Sequence, residues 1–178
     1  MIQSNPPSNI LIRPSIVGEA PIIARMLHQA FVEFESRYTP AAFAATTPTS
    51  DQIQKRWSEG PVWVAAKGDQ LVGTISAIPK GDGLYIRSMA VLPAARGHGI
   101  GHLLLQAVEQ LAITQGFQRM LLSTTPFLTP AIRLYEQFGF RQSNEEPHEL
   151  FGTPLFTMTK LLEPANQARL DITNISIE

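Results

Sequence analysis

The spacing of hydrophobic and polar residues predicts a strand and then a long helix at the start of the chain. Residues 10–13 are a short apolar run that Pro14 stops, as is typical of a strand. From Ala20 to Phe34 the apolar side chains recur every three or four residues, which predicts an amphipathic helix of about four turns. Residues 39–49 show no such period, and we interpret them as a loop.

A second helix and a three-stranded meander are predicted for the middle of the chain. Ser50 and Asp51 suit the cap and the first turn of a helix that runs to about Glu59. Turns that contain glycine then separate three apolar runs, which predict antiparallel strands. The three predicted strands cover residues 62–67, 71–78 and 84–91.

Strands and helices alternate in the rest of the chain. A helix is predicted from Ile100 to Gly116, and a further helix begins at Thr129 and Pro130 and ends at Gly139. The predicted strands of this part cover residues 118–125, 140–142 and 154–161, with an acidic loop before the last. A meander followed by alternating strands and helices predicts an α/β fold, with a mixed sheet and helices on both faces.

Length and charge predict one domain. The 178 residues are 44% hydrophobic and carry 14 Lys and Arg against 15 Asp and Glu, for a formal net charge of -1. We expect a single domain over residues 10–162, a disordered lead-in over residues 1–9 and a tail over residues 163–178. Apolar residues in the tail suggest that it adds a strand to a sheet. That sheet is either the chain's own or that of the partner subunit in a homodimer.

Composition excludes several classes of function. The chain has no cysteine, which excludes a thiol nucleophile, a disulfide framework and a zinc-thiolate site and fits a reducing cytoplasm. Its near-neutral charge and scattered cations argue against a nucleic-acid partner. No apolar run reaches the roughly 18 to 20 residues of a membrane helix, so we expect a soluble, cytoplasmic protein without a membrane partner.

The strongest chemical signal is the glycine-rich run from Arg96 to Gly101, which joins a predicted strand to a predicted helix. Glycines allow the backbone to approach a ligand there, and the free N–H groups of a first helical turn favour a phosphate. A turn that binds nothing is the alternative interpretation. The run lacks the Gly-Lys-Ser/Thr of a P-loop, and His102 stands where the dinucleotide fingerprint needs a third glycine, which argues against a nicotinamide-dependent enzyme.

Two sequence blocks carry a resemblance to a known family. The pattern R-x-x-G-x-G from Arg96, which follows strand residues 86–91, resembles the acyl-CoA signature of the GNAT superfamily of N-acetyltransferases. Residues 131–140, in which Tyr135 precedes a Gly-Phe pair by four positions, resemble the later motif of that family. The similarity spans about residues 10–162. It implies a GNAT-like, mostly antiparallel sheet of about seven strands, with a splay between the fourth and fifth strands.

The resemblance also implies roles for particular residues. The strand before the loop would bind the pantetheine arm of acetyl-CoA, the loop amides would bind its pyrophosphate, and Tyr135 would protonate the departing thiolate. By its position on an amphipathic helix alone, Tyr135 would instead be a core residue. The residues implied to bind acetyl-CoA are Met89, Ala90, Val91, Arg96, Gly97, His98, Gly99, Ile100, Gly101 and Tyr135.

The general base is the least defined part of this implied site. Many family members carry a glutamate on the fourth strand just before the position of Met89, where this chain has Arg87 and Ser88. Glu33 and Glu35, near the end of the first long helix, are the candidate bases. The alternatives are Tyr85, or a water chain held by Ser123 and Thr124.

The expected function is that of an acetyl-CoA-dependent N-acetyltransferase that acts on a primary amine by direct attack in a ternary complex. A catalytically silent acetyl-CoA sensor or interaction module is the alternative. We expect no metal, because His98 and His102 lack a third ligand nearby. The acceptor, a small molecule or a peptide amine, stays open because its wall would come from residues 31–59 and 142–154, which carry no recognisable signature.

Overall fold

An eight-stranded mixed sheet organises the chain in the computed structural model, which describes residues 9–163. The predicted lead-in over residues 1–9 and the predicted tail over residues 163–178, with its added strand, lie almost entirely outside the described residues. The strands are β1 Ile10–Pro14, β2 Val62–Lys67, β3 Gln70–Lys80, β4 Gly83–Val91, β5 Arg119–Thr124, β6 Arg141–Gln142, β7 His148–Leu150 and β8 Thr153–Leu161.

The sheet runs in the order β1-β2-β3-β4-β5-β8-β6, and β7 pairs with β8 beside this path. Each neighbouring pair is antiparallel except β4 and β5, which are parallel. A parallel pair needs a crossover connection, and the helix between β4 and β5 supplies it. The predicted α/β class and the mostly antiparallel sheet are therefore confirmed.

Helices cover both faces of the sheet. The five α-helices of the described chain are α1 Ala20–Phe31, α2 Pro40–Thr46, α3 Ser50–Arg56, α4 Ile100–Thr114 and α5 Thr129–Phe138. The buried residues of α4 and α5 share one core cluster with β3 and β4, and those of α1 and α3 share a second cluster with β2. Within residues 9–163, no helix combines the length and the apolarity that crossing a membrane would require.

The segment after α1 differs from its prediction. The α-helix ends at Phe31 and continues as a 3-10 helix over Val32–Arg37. Residues 39–49 are not a loop, because they contain α2, which Thr39 caps by accepting a hydrogen bond from the Ala42 N–H at 3.2 Å. Because α2 is only seven residues long, it is too short to show a helical period in the sequence. The burial of the Phe43 side chain stabilises it instead.

Two further boundaries depend on local contacts. The cap of α3 is Thr49 rather than Ser50, since Thr49 and Gln52 exchange side-chain hydrogen bonds with each other's backbone. The predicted acidic loop contains β7, which pairs with β8 through a tight turn at Phe151 and Gly152. Both turn residues have positive φ, as a type I′ hairpin turn requires, but phenylalanine is not a residue that usually signals such a turn.

Candidate active site

A splay opens between the parallel strands β4 and β5. Their pairing runs from Gly83 opposite Arg119 to Ile86 opposite Leu122 and ends there. Beyond Ile86, β4 pairs with β3 alone, resuming at Ser88 after a bulge at Arg87, while the end of β5 pairs with β8. The separated strand edges leave backbone N–H and C=O groups available to a ligand that enters the gap.

A cavity of about 390 Å³ lies along this splay. Its volume is within the range of small-molecule and cofactor sites, and its wall is mostly apolar. The wall combines the end of β4, the loop before α4, the end of α1 and the start of α5. The lining residues are Ala30, Phe31, Phe34, Met89, Ala90, Val91, Ala95, Arg96, Gly97, Gly99, Ile100, Gly101, His102, Leu128, Pro130, Ala131, Leu134 and Tyr135.

The glycine loop forms one end of the cavity. Gly97 and Gly99 have φ of 80° and 75°, and Gly99 is the residue that caps α4. A Cβ at either position would meet no atom of the described residues within 4 Å, so these glycines serve the backbone conformation rather than packing. The first turn of α4 directs N–H groups without intrahelical partners, and the positive end of the helix dipole, toward this end.

Gly101 has a different role from the other two glycines. A Cβ there would lie 2.7 Å from Cδ2 of Leu134 and 3.1 Å from Cε of Met89. The absence of a side chain therefore lets α4 lie against α5 and β4. The sequence motif predicted ligand binding for all three glycines and did not indicate the packing role of Gly101.

Arg96 connects the loop to α1 and β4. Its Nη1 forms an ion pair with Glu33, its Nη2 donates to the Ala30 carbonyl at 2.9 Å, and its Nε donates to the Val91 carbonyl at 3.2 Å. The guanidinium group thus connects α1, the 3-10 helix after it and β4 at the cavity wall. Its predicted contact with acetyl-CoA stays a prediction.

Tyr135 lines the same cavity as the end of β4 and is 9% exposed. Its ring contacts Phe140 edge to face, with the centroids 5.9 Å apart. Burial raises the pKa of Tyr135 well above its ordinary value, so its hydroxyl keeps its proton throughout the physiological range. Such a group is protonated and available as a hydrogen-bond donor at neutral pH, and it is unsuited to remove a proton.

The candidate bases lie at the rim of the site. Glu33 and Glu35 are exposed on the 3-10 helix after α1, and neither is among the described residues that line the cavity. Glu33 is the partner of Arg96. The alternatives are nearer the sheet: Tyr85 is half-buried on β4, below Nζ of Lys80, and Thr124 is buried at the end of β5 next to the half-buried Ser123.

His98 of the loop and His102 of α4 make separate contacts. Nδ1 of the exposed His98 lies 3.3 Å from the Ala95 carbonyl, and the His102 ring packs against Phe138. In the part of the chain that the structure describes, no three His, Asp or Glu side chains come together as a metal site would require.

The sequence reasoning missed part of the wall. Leu128, which caps α5, and the α5 residues Pro130 and Leu134 line the cavity but were not predicted to do so. The helical spacing of Ala131, Leu134 and Tyr135 could have indicated that they share a face. Phe34 was predicted to lie on an apolar helix face and within the segment of residues 31–59 that forms the acceptor wall, and it lines the cavity.

Comparisons with known proteins give a consistent result. The model of the acetyltransferase (GNAT) family matches residues 26–140. The uncharacterized N-acetyltransferase YjgM of Escherichia coli is 32% identical over 141 residues, which are 75% of this chain and 83% of that protein. N-acetyltransferase 8B of Rattus norvegicus is 34% identical over 89 residues, and here the match covers 47% of this chain and only 40% of the relative.

A solved structure has the same fold. The PaiA N-acetyltransferase of Thermoplasma acidophilum, in complex with coenzyme A, superposes with a TM-score of 0.72 at 15% identity. The match covers 86% of this chain and 99% of that one. At this identity the likeness concerns the fold alone.

Proposed function

This chain belongs to the acetyltransferase (GNAT) family and is an N-acetyltransferase, and from that premise we propose that it transfers acetyl from acetyl-CoA to a primary amine of a small molecule or peptide. The supporting observation is the cavity that joins the glycine loop, the β4 edge and Tyr135 along the splay. Direct attack in a ternary complex is the proposed route, because the chain has no cysteine and no Ser-His-Asp pattern for a covalent acyl-enzyme.

The residues of the cavity fit acetyl-CoA as co-substrate. An anionic diphosphate suits the start of α4, where the N–H groups of residues 97–101 would bind it. The extended, largely apolar pantetheine arm suits the cavity along Met89, Ala90 and Val91. The coenzyme A complex of the Thermoplasma acidophilum protein, whose fold is shared, supports this assignment.

The reaction forms a C–N bond to the amine and breaks the C–S bond of the thioester. A protonated amine must lose two protons, one to the base and on to solvent before the attack and one from the nitrogen after it, and the thiolate must gain one. An amine with a pKa of about 10.4 is mostly protonated at pH 7, and removing its proton costs about 4.6 kcal/mol. A thiol with a pKa of about 8.5 leaves with much less assistance. Deprotonation is therefore the step that needs most help, and a base is proposed among Glu33 and Glu35.

Tyr135 is proposed as the acid that returns a proton to the thiolate. Its hydroxyl keeps its proton because burial raises its pKa, and it lines the same cavity as Met89, Ala90 and Val91. A backbone N–H of residues 89–91 would stabilise the negative charge that develops on the carbonyl oxygen. Together these groups account for both ends of the bond exchange.

Calorimetry with acetyl-CoA followed by a thiol-release assay on a panel of primary amines tests the proposal. We expect heat on binding and release that depends on the amine. A catalytically silent acetyl-CoA-binding module is the second candidate, since the described cavity lining contains no carboxylate. It predicts heat without release. A chain that gives neither heat nor release would contradict both functions.

A further inference from the structure

Two arginines lie on the α3 side of the splay, where the proposed function needs an acceptor. Arg87 is the first β4 residue after the last β4–β5 pair, and Ser88 follows it. Ser88 faces α3, since Nη1 of Arg56 donates to its Oγ at 2.7 Å. Arg87 reaches the same side, where it forms an ion pair with Glu59. We call Arg56 and Arg87 the arginine pair.

The arginine pair has one carboxylate for two positive charges. Within residues 9–163, Glu59 forms an ion pair with Arg87, and no carboxylate forms one with Arg56. Burial, and secondly the charge of Arg87, lower the pKa of Arg56 from 12.5 to about 10, so Arg56 stays charged at neutral pH. A second anion would therefore relieve the repulsion between the two guanidinium groups.

Hydrogen-bonding groups beside the arginine pair also lack partners. Among the described residues, the buried Nε–H of Arg87 and the buried Oγ of Ser76 have no hydrogen-bond partner. Ser76 lies opposite Ser88 in the β3–β4 register, and a gap of about 10 Å³ adjoins Arg56, Ser76 and Ser88. The gap has room for one water at most, so a ligand oxygen would be stabilised beside the buried Nε–H of Arg87 rather than inside the gap.

The position suits a ligand whose anion is close to its amine. Met89 lines the acetyl-CoA cavity, and Arg87 precedes it by two residues, about 7 Å along a strand. An amine aimed at the acyl group from the α3 side would leave an adjacent carboxylate within reach of the Arg87 side chain. A long spacer between the two groups is not needed.

We infer that the acceptor is an α-amino acid, whose carboxylate is bound by Arg56 and Arg87 while its amine faces the acyl group. The inference rests on the proposed function and names its substrate class. Guanidinium groups bind carboxylates through paired, charge-assisted hydrogen bonds, which gives both affinity and orientation. Glu59 competes for Arg87 until the acceptor arrives, and Arg56 supplies the second guanidinium group.

The test uses acceptors that differ only at the carboxylate. Thiol release from acetyl-CoA is measured with the standard amino acids, with their carboxamides and with their decarboxylated amines, and O-phosphoethanolamine serves as a phosphate-bearing amine. We expect kcat/KM for the best amino acid to exceed that for its carboxamide and its amine by about 10- to 100-fold. Acceptance of O-phosphoethanolamine in place of amino acids would overturn the choice of carboxylate.

Variants of the arginine pair and of Glu59 should act in opposite directions. Arg87→Gln and Arg56→Gln should raise KM for the best amino acid by about 10- to 100-fold, with the carboxamide and the acetyl-CoA affinity unaffected. Glu59→Gln should lower that KM by about two- to fivefold, because it frees Arg87. Arg119→Gln is the matched control, since Arg119 is also ion-paired, with Asp82, but lies at the far end of β5.

The possible outcomes distinguish a failure of the inference from a failure of the proposed function. Equal use of amino acids and carboxamides, or arginine variants that impair every acceptor alike, would overturn the inference and leave acetyl transfer intact. Release with no compound, despite acetyl-CoA binding, would contradict the proposed function itself. Thermal melting checks the fold of each variant, and if Arg56→Gln does not fold, the opposite shifts of Arg87→Gln and Glu59→Gln decide alone.

Discussion

The α4 side and the α3 side of the splay are assembled from the chain in different ways. On the α4 side the predicted ligand groups are backbone N–H groups of one contiguous loop, residues 96–101. On the α3 side they are side chains from distant segments: Arg56 meets Ser88 across 32 positions, and Glu59 meets Arg87 across 28. The first side is readable as a motif, and the second side appears only once the sheet has formed.

The difference separates what is general in this site from what is particular. Backbone groups at a helix start recognise the phosphate chemistry that any acyl-CoA carries. Side chains on the other side can change without disturbing the loop, so they are free to select the acceptor. Five predictions test or sharpen this division, from the largest expected effect to the smallest.

Replacing Glu33 and Glu35 by glutamine, one at a time, tests the proposed base. Loss of a general base should lower kcat/KM by about 100-fold or more at pH 7. The loss should shrink toward pH 10, where the acceptor amine loses its proton unaided. The measurement is a pH profile of thiol release. An equal loss at every pH would identify Glu33 as the anchor of Arg96 only, and full activity in both variants would remove both glutamates from the mechanism.

Gly99→Val tests the backbone side of the site. A β-branched residue is strained at the φ of 75° found there, by about 1 to 3 kcal/mol, and relieving that strain would turn the loop N–H groups away. We expect the affinity for acetyl-CoA to fall by about 10- to 100-fold in calorimetry. Gly68→Val is the matched control, since Gly68 has a φ of 58° in the remote β2–β3 turn. If both variants bind equally well, the loop does not bind the diphosphate.

Tyr135→Phe tests the proposed acid. Because a thiolate leaves readily, we expect kcat to fall by about tenfold without being abolished. The affinity for acetyl-CoA should stay close to the wild-type value, since phenylalanine preserves the ring contact with Phe140. Wild-type kcat across the whole pH range would exclude Tyr135 from the chemistry.

A double-mutant cycle between Gly101 and Leu134 tests the packing role of the third glycine. Alanine is the better helix former, by about 1 kcal/mol, but its Cβ at position 101 would collide with the Leu134 side chain. Gly101→Ala should therefore be more favourable, by about 1 kcal/mol, when Leu134 is alanine than when it is leucine. Urea unfolding measures the four stabilities. Strict additivity would show that the contact carries no cost.

Alkaline unfolding tests the burial of Tyr135. Its folded-state pKa is raised above the unfolded value of about 10, so its contribution to stability is complete below pH 10 and is lost as pH rises further. Above pH 10 the unfolded chain releases the phenol proton, whereas the folded chain keeps it. The free energy of unfolding therefore falls by at most about 1.4 kcal/mol per pH unit. Tyr135→Phe should flatten this decline, leaving the share of Tyr38, whose pKa burial also raises. Parallel curves would contradict a buried phenol.

The fold was predictable wherever a segment was long and regular. The helix from Ile100 and the three-strand meander were recognised from periodicity and turn residues, and the structure confirms them. The short helix α2 and the hairpin strand β7 were missed, since each is stabilised by contacts between them. Thr39 accepts from the start of α2 and donates to the Phe151 carbonyl of the β7–β8 turn at 2.7 Å.

The candidate site likewise contains residues that short motifs predicted and contacts that the sequence did not indicate. The loop around Gly99 and the position of Tyr135 were proposed from short motifs, because their spacing is set within one turn and one helix. The partner of Arg96 was not foreseen, since Glu33 is 63 residues away. Nor was the meeting of Arg56 with β4, which depends on how α3 docks against the sheet.

The sequence by itself determined the types of most elements, the family motif and the backbone conformation of the glycine loop, because φ preferences and periodicity act between neighbouring residues. The tertiary structure decided which charges meet, why position 101 admits no side chain, and which groups face the α3 side of the splay. Those outcomes depend on strand register and helix docking, which sum many distant contacts and leave no pattern within any one segment.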